Sequence, residues 1–218
     1  MKDTSLKRLD EDCLLDGQLH PSIRERLNRV RELPLTCVAN LLGVEKIDGV
    51  AQLVWEFVPG RPLEEIRGDA PAWGRWAREV TLAVEALHSS GIVHGAIHER
   101  NVLVTDSGEV KLTHVSPLLY SETEHDAADV IDMLEALVHR DAPDSALAKL
   151  LVEARAGAWP LGRVYARIVE LDAGEPPPAA TVRERAPGNF SVGAVVGAML
   201  AAAVGLAIAG GVVWYVGG

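Results

Sequence analysis

His94-Gly95-Ala96-Ile97-His98-Glu99-Arg100-Asn101-Val102-Leu103-Val104 is the stretch on which the reading of this chain turns. It joins a polar loop to the first arm of a hairpin. Asn101–Val104 and Val110–Thr113 are strand-like, and Thr105-Asp106-Ser107-Gly108-Glu109 between them supplies the turn. Just upstream, Ile92-Val93-His94 reads as a short strand. Before it lies a strong helix from about Trp73 to His88, whose apolar face is Trp76, Val80, Ala83, Val84 and Leu87. Ser90-Gly91 closes that helix, glycine being the usual residue just past a helix end.

Farther toward the N-terminus, His20-Pro21-Ser22 opens a helix in which Ile23, Leu27, Val30 and Leu33 keep helical spacing, and Pro34 ends it. Two strand-like runs follow, Val38–Val44 and Val50–Val58, joined by Glu45-Lys46-Ile47-Asp48-Gly49, and Pro59-Gly60 breaks the chain. Beyond the hairpin the pattern predicts helices over Asp126–His139, Ser145–Ala156 and Leu161–Leu171. Glu122, Glu124, His125 and Asp126 read as a solvated acidic loop. The expected organisation is a domain over residues 1–172, a Pro/Ala/Arg linker over 173–189 and an apolar segment over 190–216.

Charged residues make up 24% and hydrophobic ones 48%, which suits a folded protein rather than a disordered one. The formal charge of −10 falls entirely on residues 1–185. An acidic domain is a poor partner for nucleic acid, whose phosphates call for clustered Lys and Arg. Cys13 and Cys37 give neither a disulfide framework nor a metal-ligand cluster, and read as reduced cysteines of a cytosolic domain.

The start, MKDTSLKRLDEDC, is too charged for a signal peptide. Phe190 to Val216, in contrast, reads FSVGAVVGAMLAAAVGLAIAGGVVWYV without a charge, and a membrane helix needs only about 20 apolar residues. Arg183 and Arg185 precede this span and no Lys or Arg follows it, which predicts a single-pass protein with its N-terminal domain in the cytoplasm. Gly193, Gly197, Ala201, Gly205 and Ala209 recur every fourth residue, and such a small-residue stripe points to a homodimer contact in the membrane.

The order of elements over residues 5–171 resembles the protein-kinase family from its third N-lobe strand onward. Leu53-Val54-Trp55-Glu56-Phe57-Val58-Pro59-Gly60 looks like the fifth strand and hinge, and Ala86 to His94 looks like the end of the long C-lobe helix entering the catalytic loop. The resemblance implies an α+β fold with a reduced N-lobe sheet and a mostly helical C-lobe. It places His94, Gly95 and Ala96 at the HRD motif, Asn101 at the second metal-holding position, and His114-Val115-Ser116 at DFG. The HG pair with His98 and Asn101 is also similar to the loop of aminoglycoside and choline kinases, which likewise requires an aspartate where Ala96 stands.

The departures carry the functional expectation. A methyl group at Ala96 cannot orient an attacking hydroxyl, and the imidazole of His114 cannot replace a carboxylate toward Mg²⁺. The aspartate that opens the next long helix is expected at Asp129, leaving only a short activation segment after His114. No glycine-rich loop precedes Ser5-Leu6-Lys7. Lys7 and Glu25 are open to two readings: the ATP-anchoring lysine with its helix partner, or a surface lysine and an ordinary helix-face glutamate. If ATP binds at all, Lys7, Glu25 and the hinge positions Glu56 and Val58 would hold it. His94 is expected to hold backbone, and His98 with His114 lacks a third ligand for a metal. The leading expectation is a membrane-anchored, catalytically inactive kinase-like domain serving as a binding, scaffold or regulatory module without a cofactor. The alternative is a divergent serine/threonine-type kinase, with Asp106 the nearest carboxylate, or an ATP-binding sensor.

Overall fold

The computed structural model describes residues 4–174. The expected span 190–216, its small-residue stripe and linker residues 175–189 lie outside the described residues. Among the described residues, no helix is long and apolar enough to cross a membrane.

The first layer is a three-stranded antiparallel sheet of order β1-β5-β4, with β1 at Thr4–Arg8, β4 at Leu41–Ile47 and β5 at Val50–Glu56. Asp48 and Gly49 join β4 to β5 with φ of 50° and 82°, the left-handed pair that lets a two-residue turn match strand twist. A small ribbon, β2 at Leu14–Leu15 and β3 at Gln18–Leu19, leads into α1, Pro21–Arg31. Proline suits the first helical turn because its missing N–H would have no intrahelical partner there. Ile23, Leu27 and Val30 are buried, as their spacing predicts.

The strand expected from Val38 begins instead at Leu41; Val38 makes an isolated parallel bridge to Leu112. That contact pins the connector after α1 onto the hairpin, a long-range pairing no local pattern encodes. Pro59-Gly60 does not simply break the chain. Gly60 starts β6, Gly60–Pro62, which pairs with β7, Val102–Thr105, and β7 pairs with β8, Val110–Leu112. A Cβ on Gly60 would strike the Val104 carbonyl, so this strand approaches closely because it begins with glycine.

The helical layer is built on α2, Ala70–Ser89. It starts before Trp73 because Asp69 Oδ1 accepts the Ala72 N–H at 3.0 Å, an N-cap. Trp73 and Trp76 meet edge to face with ring centres 5.1 Å apart. Around α2 pack α3, Thr123–Asp141, α4, Ala146–Ala156, and α5, Leu161–Gly174. One apolar core runs from Leu9 and Ile23 through Trp55, Val80 and Leu112 to Leu134, Leu151 and Ile168. Residues 92–94 are not a strand; they form a buried loop with its own set of partners.

Candidate functional site

A buried loop must find hydrogen bonds for its backbone, or each orphaned group costs about 1–3 kcal/mol. For residues 93–95 the partners come from two charged side chains on opposite sides. Asp126 Oδ2 accepts the His94 N–H at 2.6 Å, and Oδ1 accepts the Gly95 N–H at 2.8 Å. His88 Nε2, at the end of α2, lies 2.8 Å from Asp126 Oδ2. Burial pushes the Asp126 carboxyl up, but the bonds from His88, Gly95 and His94 outweigh it and hold the group below the usual carboxylate range.

This corrects two expectations. Asp126 belongs to no solvated loop: α3 begins at Thr123, and Asp126 is fully buried in its first turn. Asp129, expected to cap the loop, is exposed one turn farther along. Counting from the His114-Val115-Ser116 triplet favoured Asp129; the tighter chain path brings Asp126 under the loop first.

From the other side, Arg26 of α1 reaches into the same loop. Its Nε donates to the Ser116 carbonyl at 2.9 Å and one terminal nitrogen donates to the Val93 carbonyl at 2.5 Å. Arg26 is 6% exposed. Arg29, one turn on, donates to the Gly91 carbonyl at 2.9 Å. Glu25, read as a partner for Lys7, points outward and is exposed, and no ion pair joins the two among the described residues. The inward residue of that turn is Arg26, which helical spacing from Ile23 and Val30 could have exposed as a buried position.

Across the cleft, four residues form one hydrogen-bond chain. His114 Nε2 lies 3.1 Å from Ser5 Oγ on β1. His114 Nδ1 lies 3.3 Å from Asn101 Oδ1, and Asn101 Nδ2 donates to the Ala96 carbonyl at 2.8 Å. An amide oxygen can only accept, so His114 Nδ1 carries the hydrogen, and in the neutral ring Nε2 then accepts from the serine hydroxyl. That requires a neutral ring. Burial, with Lys7 and His98 nearby, lowers the His114 pKa to about 4, which agrees. His114 sits at φ 57°, and the Trp55 ring meets it edge-on at 5.9 Å. The Trp55 Nε1 is buried without a partner among the described residues.

The other expected residues fall around this chain. Lys7 is half-buried on the same face of β1 as Ser5, two residues along, and no carboxylate among the described residues lies within 4.0 Å of it. Glu56 is committed elsewhere: its carboxylate takes Lys111 Nζ at 2.9 Å and Asn40 Nδ2 at 2.6 Å. Burial raises the Glu56 pKa, but these two partners bring it below the usual range. Val58 is buried. His94 is fully buried and its Nε2 donates to the Thr113 carbonyl at 3.1 Å, while Nδ1 is left without a partner. Burial lowers its pKa to about 4.

Gly95 lies at φ 66°, and the Tyr120 ring covers its Cα so closely that a Cβ there would clash. The short segment after Ser116 thus lies directly over the loop, beside Ala96. Sequence reasoning missed Tyr120, Arg26, His88 and Ser5 because each acts through a partner 25 or more residues away.

This donor set does not suit Mg²⁺, which takes oxygen ligands in octahedral geometry. Methyl and imidazole stand at the two expected carboxylate positions, and the Asn101 amide is occupied by protein on both sides. Among the described residues, no group of three or more His, Cys, Asp or Glu side chains gathers to hold a metal.

The kinase domain of PknI from Mycobacterium tuberculosis superposes with a TM-score of 0.58 at 16% identity, over 78% of this chain and 85% of that one. The fold is protein-kinase-like. In sequence, a probable serine/threonine-protein kinase of Clostridium perfringens is 35% identical over 114 residues, half of this chain (50%) and 17% of that protein. Human Rho-associated protein kinase 1 is 35% identical over 69 residues, 30% of this chain and 5% of its own length. A serine/threonine-protein kinase of Arabidopsis thaliana, KIPK1, is 26% identical over 116 residues, covering 12% of its length. The chain spans less than a fifth of these curated relatives. No family model matches it.

Proposed function

We propose that this chain is a catalytically inactive kinase-like domain, anchored to the membrane through residues 190–216, that works as a binding or regulatory module in signalling. The observation that carries this reading is the chain Ser5–His114–Asn101–Ala96. It spends the residues at the expected metal and base positions on one another, and it ties the N-lobe strand β1 to the catalytic-loop backbone. Phosphoryl transfer relies almost wholly on positioning and charge stabilisation around the phosphates, with a base for the hydroxyl. Neither is supplied by a methyl group and a neutral imidazole that already uses both nitrogens.

The test is transfer of γ-phosphate by the purified full chain to itself and to generic protein substrates. No transfer above a heat-treated control is expected. Transfer that disappears in Asn101→Ala would overturn the reading. For the anchor, a reporter fused after Gly218 should appear on the outer face of the membrane, and a cytoplasmic signal would reverse the orientation.

A second reading has one observation in its favour. Among the described residues, Lys7 is a half-buried cation with no carboxylate within 4.0 Å, on the same face of β1 as Ser5. An ATP-binding sensor would use it on the phosphates. A thermal shift with ATP, with and without Mg²⁺, separates the two: no shift in either condition removes the sensor.

A further inference from the structure

Behind the cleft, a groove of about 810 Å³ runs between the connector that follows α1, one face of α2 and the β7–β8 hairpin. Its walls are largely apolar, with Leu35, Val38, Leu82, Ala83 and Val110 among the residues that line it. Leu82 is the anomaly. It is 54% exposed on a helix whose other large apolar side chains are buried. The volume falls in the range of ligand pockets, and the lining is mostly apolar with a few polar groups.

The polar groups at this groove say what it would take. Lys111 is the one cation in the lining, and Glu56 already neutralises it at 2.9 Å. Two carboxylates remain. Glu79 of α2 accepts the Val110 N–H at 2.9 Å, and Glu109, the preceding residue, lies 3.2 Å from Ser107 Oγ. Glu79 lines the groove half-buried on the α2 wall, and Glu109 lines it exposed on the hairpin wall. Neither has a cation within 4.0 Å among the described residues, and Arg75, which approaches Gly108, pairs with neither. Two carboxylates without a cation partner, lining an apolar groove, favour a cationic group in whatever binds there.

We propose that this groove receives a segment of a partner protein that is apolar along one side and carries an Arg or Lys to meet the acidic lining residues Glu79 and Glu109. This rests on the reading of the chain as a binding module and gives that module its surface. The chain's formal charge of −10 favours approach of a basic partner at a distance. Cys37 lines the groove and is half-buried, whereas Cys13 is fully buried, so thiol modification of the folded protein reports on the groove alone.

The test is selection from a displayed peptide library on the full chain in lipid nanodiscs, followed by the rate at which Ellman's reagent modifies Cys37. Selected peptides should carry a basic residue within an apolar stripe and slow Cys37 modification severalfold. The double variant Glu79→Gln, Glu109→Gln keeps the acceptor for Val110 and should weaken them about tenfold, the order expected for losing two separate, partly exposed charge contacts. Leu82→Asp should abolish binding; the Gln variant guards against misfolding of this one. The proposal is overturned if nothing is enriched, if the binders ignore both variants, if they lack basic residues, or if Cys37 stays unprotected. Protection of Cys37 that rises with protein concentration alone would instead assign the groove to a second copy. Phosphate transfer by the same sample would remove the inactive-kinase reading and leave the groove result standing.

Discussion

His114 and Ser5 meet at 3.1 Å across the cleft, the imidazole accepting the serine hydroxyl, so a residue of the helical lobe is bonded directly to the first strand of the sheet. The bond works as a strut between the two. A double-mutant cycle of Ser5→Ala and His114→Ala, followed by urea unfolding, should show a coupling of about 0.5–1.5 kcal/mol. Additive effects would mean that the two side chains do not act as a pair.

Asp126 and Asp129 should differ sharply. Asp126→Ala leaves two buried N–H groups and His88 without their acceptor, and should lower stability by about 3–5 kcal/mol. Asp129→Ala removes an exposed carboxylate and should stay within about 0.5 kcal/mol. Equal losses in chemical denaturation would refute the placement of the cap.

On α1 the contrast lies between neighbours. Arg26→Ala removes two donors from buried carbonyls and should cost about 2–4 kcal/mol, while Glu25→Ala should be near neutral. Hydrogen exchange at the amides of residues 93–96 should accelerate in the first variant only.

Acid should weaken the fold in a defined window. His94 and His114 have folded pKa values of about 4 against 6.5 when unfolded. Between these values the unfolded chain binds more protons, so the stability from keeping both rings neutral is full above pH 6.5 and is lost as pH falls toward 4. Asp126, with its pKa lowered, adds a further loss at lower pH. His114→Gln should flatten the slope of unfolding free energy between pH 6.5 and 4. An unchanged slope would show that His114 does not contribute.

Gly95→Ala forces a methyl group into the left-handed region and into the Tyr120 ring, for a combined loss of about 2–4 kcal/mol. Adding Tyr120→Ala should recover the steric part but not the backbone part. Thermal melts of the single and double variants measure both.

The helices were legible because their signals are local. Ile23, Leu27 and Val30 marked α1, and Trp76, Val80, Ala83 and Leu87 marked α2, since burial of a stripe recurs with the helical period. The hairpin around Gly108 was legible for the same reason. Strand and helix starts were less so: α2 and α3 each begin about three residues early, where a cap or a neighbouring layer decides the boundary. The site was legible at the residues that a motif names, His94, Ala96, Asn101 and His114. It was not legible at those that a motif does not name.

By itself the sequence determined the order of elements, the protein-kinase-like arrangement they build, and that Ala96 and His114 stand where the resemblance expects carboxylates. Only the tertiary structure decided what took over: Asp126 rather than Asp129 under the loop, Arg26 rather than Glu25 facing inward, and Ser5 bonded to His114. The physical reason is the range of the interactions involved. A helix or turn is set by residues a few positions apart, whereas a buried backbone N–H accepts whichever carboxylate packing brings near, and that choice is made only when distant segments meet.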